Sequence, residues 1–121
     1  MKALLISKDL LFITRVKEVA TTKGGSVVIA KNETAVQSAV SELKSERSGI
    51  VLIDLERCPI ELGRIQELIS ELPREAWRRV SFYSHVHVDV AIEAKAQNLG
   101  DVMPRSKFVQ LLPELFLLSH L

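Results

Sequence analysis

The sequence predicts an α/β architecture with a parallel sheet, and three observations predict it. Short apolar, β-branched runs alternate with amphipathic stretches along the whole chain. The segments joining them are only a few residues long. The strongest apolar run, Ile50-Val51-Leu52-Ile53, has no polar alternation, as a strand covered on both faces requires.

The elements follow in order. Ala3-Leu4-Leu5-Ile6 is a short apolar run bounded by Ser7-Lys8-Asp9, and so a first strand. From Leu10 to Lys23 a helix is expected, with Phe12, Val16, Val19 and Ala20 on one face and Gly24-Gly25 stopping it. Ser26 to Ala30 is β-branched and short, a second strand. Asn32 is placed to cap a helix carrying Val36, Ala39, Val40 and Leu43, which Ser48-Gly49 closes. Ile50 to Ile53 is the central strand and ends at Asp54.

A loop through Cys58-Pro59 leads to a third helix holding Leu62, Ile65, Leu68, Ile69 and Leu72, stopped by Pro73. Val80 to Tyr83 is the fourth strand, ending at Ser84. Asp89 is placed to cap a helix with Ala91, Ile92, Ala94 and Ala96, and Asn98 stands where a left-handed residue ends it. Asp101-Val102-Met103 is a short fifth strand. A last helix runs from Phe108 to Leu121, with Pro113 expected to kink or delay it.

Five strands alternating with five helices over so short a chain imply right-handed crossovers and helices on both faces. The flavodoxin-like strand order 2-1-3-4-5 is the expectation. In such sheets the functional crevice lies beyond the carboxyl ends of the strands. Here that gathers Ser7-Lys8-Asp9, Asp54, Ser84-His85 and Pro104-Arg105-Ser106.

Composition bounds the function. The 121 residues fit one domain, 1–121, large enough to bury a core without disulfide or metal staples. Lys and Arg number 16 against 15 Asp and Glu, so the bulk basic footprint of a nucleic-acid binder is missing. The single cysteine, Cys58, excludes an intramolecular disulfide and a multi-cysteine zinc site. No apolar run is long enough to span a membrane, and Met1 leads almost directly into a strand rather than a signal peptide. A soluble, cytoplasmic domain is expected.

The crevice residues carry a resemblance. In element order nearly all of the chain resembles the receiver domain of bacterial two-component response regulators. A working receiver has an acidic pair after the first strand and a phosphoacceptor Asp after the third. A Ser or Thr follows the fourth strand, and a Lys followed by a cis-Pro follows the fifth. The run Ile50-Val51-Leu52-Ile53-Asp54 is similar to the third strand and its acceptor. Ser84 matches the hydroxyl position, and Asn98 to Arg105 matches the approach to the lysine, with Arg105 in its place.

The acidic pair falls on Ser7 and Lys8, with Asp9 one place further on. Val102 stands where the family often has an aromatic, and Ser106 replaces the proline. Family members use three carboxylates to hold Mg²⁺. Asp54 and Asp9 set against Lys8 and Arg105 leave the site near neutrality, with nothing demanding a divalent cation. The resemblance therefore implies a degenerate, pseudo-receiver site: a phosphoacceptor remnant at Asp54 and a crevice cluster of Lys8, Asp9, Ser84 and Arg105. Lys8 is expected to pair with Asp54 in the metal's place.

Other signals carry less chemistry. His85-x-His87 followed by Asp89 offers two alternate ligands with no third, so no metal site is expected. Cys58 has no histidine partner in sequence, and no nucleophile–base order or glycine-rich phosphate loop occurs. Trp77 amid Arg74, Arg78 and Arg79 is diluted by Glu71 and Glu75 and is assigned to the core edge.

The last helix has excess apolar surface. Phe108, Leu111, Leu112, Leu115 and Leu118 make one stripe, Val109 and Phe116 widen it, and Leu117 and Leu121 lie on the opposite side, where a solvated helix should be polar. The expected interface is Val109, Leu112, Phe116, Leu117 and Leu121, on the face of the fourth and fifth helices.

The function expected is a non-enzymatic signalling or scaffold module. It binds a protein partner or a second copy of itself independently of phosphorylation, with no cofactor, nucleic acid or membrane. The alternatives are a divergent receiver accepting phosphate on Asp54 from a histidine kinase, and a module holding an anion or nucleotide between Lys8 and Arg105.

Overall fold

A computed structural model describes residues 1–56, 58, 60–84 and 88–118, leaving aside the side chain of Leu118. The strands are β1 (Lys2–Ile6), β2 (Ser26–Ala30), β3 (Gly49–Asp54), β4 (Trp77–Tyr83) and β5 (Asp101–Pro104). The helices are α1 (Leu10–Thr22), α2 (Glu33–Leu43), α3 (Leu62–Leu68), α4 (Val88–Ala96) and α5 (Arg105–Leu118). The strands form a parallel sheet in the order β2-β1-β3-β4-β5, as the alternation of elements predicts.

Strand periodicity divides the core into two layers. Leu4 and Ile6 of β1, with Val51 and Ile53 of β3, face α2, α3 and α4. Ala3 and Leu5, with Ile50 and Leu52, face α1 and α5. Every residue of β3 is buried, which explains its unbroken apolar run. The second layer is keyed by three aromatic rings: Phe82 stacks on Phe108 at 4.2 Å, and Phe12 tilts against Phe82 at 4.9 Å.

Local chemistry sets the boundaries. Asp9 and Asn32 cap α1 and α2, accepting from the backbone N–H of Phe12 and Ala35. Asn98 takes φ 58° after α4, the left-handed stop its sequence position suggests.

Four boundaries differ from the sequence expectation. Helix α3 ends at Leu68, and residues 69–72 tighten into turns in which Leu72 N–H donates to the Ile69 carbonyl. Strand β4 begins at Trp77 rather than Val80, pairing Trp77 with Gly49. The arginines that disguised this start find partners at either side of the strand. Helix α5 begins at Arg105, one turn before Phe108, and continues through Pro113. Asp89 lies inside the first turn of α4 instead of capping it, where its charge favours the helix dipole.

Candidate functional site

The carboxyl ends of β1, β3, β4 and β5 converge on one crevice. Ser7 follows β1 and Asp54 ends β3. In the β1–β3 register Ile6 lies beside Ile53, so the next residues, Ser7 and Asp54, are neighbours. Both are buried, Asp54 to 1% exposure. The Ser7 hydroxyl donates to Asp54 Oδ2 at 2.8 Å and accepts from the Asp9 N–H at 3.1 Å. Asp54 Oδ1 accepts from the Glu56 N–H at 3.0 Å, an Asx turn that fixes the start of the following loop.

The cation at this site comes from the far side of the sheet. Arg105, the first residue of α5, places Nη2 2.9 Å from Asp9 Oδ2 and 3.9 Å from Asp54 Oδ2. The first contact is a charge-assisted hydrogen bond; the second is too long for one and acts through the field alone. Its guanidinium lies over the Phe12 ring, 4.4 Å from the centroid, so an aromatic face restricts its orientation. Asp9 Oδ1 accepts from Phe12 N–H at 3.2 Å, so one carboxylate caps α1 and pairs Arg105 together.

The structure thus brings Asp9, Asp54 and Arg105 together and leaves Lys8 apart. Lys8 is exposed, and among the described residues it forms no ion pair with Asp54, correcting the pairing expected from sequence. The reason is parity. Ser7 turns into the core, and its immediate neighbour in extended chain turns outward. Ser84 is half-buried after β4, and its backbone N–H donates to Glu56 Oε1 at 2.9 Å. Glu56 therefore ties the loop after β3 to the loop after β4. Ser7 stands at the crevice as expected, but its hydrogen bond to Asp54 was not foreseen, and neither was Glu56 as a member of the cluster. The β1–β3 register could have indicated Ser7, whereas Glu56 lies in a loop that carries no periodic signal.

The donor set does not suit a divalent ion. All four oxygens of Asp9 and Asp54 accept a hydrogen bond, and Arg105 already offsets their charge. Among the described residues no group of three or more His, Cys, Asp or Glu side chains could hold a metal. His85 and His87 lie outside the described residues. Cys58 is half-buried, and loss of hydration pushes its thiol up to about 11, so it stays protonated at neutral pH.

The expected interface divides. Leu112 and Phe116 are core residues of the α1/α5 layer and are not available to a partner. Val109 is half-buried, Leu117 is exposed, and Leu121 lies outside the described residues. Helical spacing explains this: Phe108, Leu112, Leu115 and Phe116 fall on one face of α5, and that face meets the sheet. Larger exposed apolar side chains occur elsewhere, at Leu10 and Leu11 of α1 (Leu11 is 86% exposed) and at Val88 and Ile92 of α4. No described helix is long and apolar enough to cross a membrane.

With this geometry in hand, the fold can be compared with known structures. No family model matches the sequence, and no curated protein matches it. Solved structures do. A response regulator receiver domain protein from Clostridium thermocellum superposes with a TM-score of 0.74 at 17% identity, over 98% of this chain and 92% of that one. The chain has a receiver-like fold. A receiver domain from Rhodospirillum rubrum gives a TM-score of 0.66 at 16% identity, over 99% of this chain and 94% of that one. A beryllofluoride-activated NtrC4 receiver domain, solved as a dimer, gives 0.67 at 14% identity, over 98% of each chain. The receiver-like topology places Asp54, Ser84 and Arg105 at the ends of β3, β4 and β5, where the sequence resemblance put them.

Proposed function

We propose that the chain is a receiver-like signalling or scaffold module that acts through protein–protein contact, without catalysis and without phosphorylation of Asp54. The observation that carries this reading is Arg105, whose guanidinium sits between Asp9 and Asp54 where phosphoryl chemistry would need a divalent cation. Asp54 is held by Ser7 and the Glu56 N–H and is buried, so it serves as a structural anchor for the loops after β1 and β3. The contact face is that of α4 and α5, where Val88, Ile92 and Leu117 stay exposed. The similar NtrC4 receiver domain is a dimer, which supports a second copy of the chain as one partner.

The test is intact mass after incubation with a small-molecule phosphodonor and Mg²⁺, with Asp54→Asn alongside. The expected result is no added phosphate on the folded protein. A gain of one phosphate that Asp54→Asn abolishes would replace this reading with a receiver that accepts phosphate.

A further inference from the structure

The two edges of the sheet are built differently. Strand β5 runs from Asp101 to Pro104, so a charge and a proline close its ends. Strand β2, Ser26–Ala30, holds neither a charge nor a proline, and the nearest lysines, Lys23 and Lys31, fall outside it. Such residues are what normally blunt a free sheet edge. The ladder with β1 fixes which backbone groups of β2 are spare. Ser26 N–H donates to the Met1 carbonyl at 2.9 Å, and the Ala30 carbonyl accepts from Ser7 N–H at 3.3 Å. Backbone groups alternate sides along a strand, so Ser26, Val28 and Ala30 face β1, while Val27 and Ile29 turn N–H and C=O outward. The side chains of Val27, Val28 and Ile29 are half-buried, Val28 in the layer of α2 and the other two in the layer of α1.

We infer that β2 pairs antiparallel with β2 of a second copy of this chain, joining the two sheets across a two-fold axis at Val28. The spare backbone groups select this register. With Val28 opposite Val28, Val27 of each copy stands opposite Ile29 of the other, and each such pair exchanges N–H···O=C bonds in both directions. A register centred on Val27 would set Ile29 against Gly25, and one centred on Ile29 would set Val27 against Lys31. The side chains match as well. Val28 meets its own copy on the α2 side, and Val27 meets Ile29 on the α1 side, as apolar cross-strand pairs. The charges agree with this arrangement. It holds the two Lys31 side chains at opposite ends of the junction, each beside Gly25, and brings Glu33 level with Lys23 of the second copy. A parallel pairing in register would set Lys31 beside Lys31. The flank of α2 next to this edge is small: Glu33, paired with Arg64, marks the α3 side of the helix, and Ala35 lies on the other side. The junction involves neither the crevice nor the α4–α5 face, so its failure would leave the proposed function standing.

The test is sedimentation equilibrium of the whole chain from micromolar to submillimolar concentration. The expected result is a reversible equilibrium of monomer and dimer. Val28→Lys and Val28→Glu should each raise the dissociation constant by about tenfold or more, because each sets like charges opposite one another at the axis. An equimolar mixture of these two variants should recover the dimer, since opposite charges then face each other; a substitution that merely unfolds the chain would not be rescued. Ile29→Pro should also weaken the dimer, because it removes an outward N–H that β1 does not use. Ile92→Lys, on α4, should leave the equilibrium unchanged. Melting curves establish that the variants fold. A chain that stays monomeric throughout, a dimer that the Val28 variants leave intact, or a mixture that recovers nothing would each overturn the inference. Loss of the dimer in Ile92→Lys alone would move the second copy to the α4–α5 face and overturn it too.

Discussion

Arg105 and Arg79 occupy opposite ends of the same sheet, and their surroundings differ in kind. Arg105 meets carboxylates: Asp9 directly and Asp54 at longer range, with about a third of its side chain exposed. Arg79 on β4 is 4% exposed and meets only carbonyls, donating to Trp77, Ile69 and Leu72. Burial and the neighbouring Arg74 lower its affinity for its proton, yet a guanidinium remains charged at any ordinary pH. Gly100 makes room for it: at φ 82°, a Cβ there would lie 2.1 Å from the Arg79 carbonyl oxygen.

The difference separates two tasks. Three carbonyls solvate a charge without neutralising it, and they join the turns after α3 to β4 as a fixed brace. Two carboxylates neutralise a charge at the rim of a crevice. Here the cation is part of the chain.

Substitutions test this comparison in descending order of effect. Arg79→Ala should cost about 3 kcal/mol in urea denaturation, because it strands buried carbonyls and opens a cavity. Arg79→Lys should recover little, since one ammonium cannot reproduce the planar fork. A loss under about 1 kcal/mol would mean that the brace is not structural. Asp54→Ala should cost about 2 kcal/mol, removing the acceptor of the Ser7 hydroxyl and the Glu56 N–H and leaving Arg105 with Asp9. Arg105→Ala should cost about 1 kcal/mol and less at high salt, because its partly exposed pairing is screened. A larger loss than that of Arg79→Ala would reverse the comparison. Lys8→Ala should change stability by less than about 0.5 kcal/mol in the same assay. A clear loss would restore the lysine–Asp54 pairing that the sequence suggested.

The fold was legible because its signals are local and repeated. Alternating strand and helix patterns placed all five strands, and Asn32 and Asn98 acted where their chemistry predicts. The misplaced boundaries share a cause. The β4 start at Trp77-Arg78-Arg79 reads as polar, because a sequence does not show that Arg79 finds three carbonyls and Arg78 finds Asp101.

At the site, Asp54, Asp9 and Arg105 were legible because each sits at a strand end. The wrong partner, Lys8, came from ranking charge above the alternation of an extended chain. The bond from Ser7 to Asp54 was hidden because a buried serine does not differ in sequence from an exposed one. On α5, Leu112 and Phe116 belong to the core because they share one helical face with Phe108 and Leu115, at spacings of four, seven and eight residues from Phe108.

The central claim is that Arg105 is the resident cation of the crevice. Paramagnetic broadening of backbone amide signals by Mn²⁺ tests it most directly, since Mn²⁺ occupies oxygen sites that take Mg²⁺. The account predicts that the amides of Asp9, Asp54 and Glu56 broaden no more than amides beside exposed carboxylates such as Glu18. Selective broadening at those three, relieved by excess Mg²⁺, would contradict it.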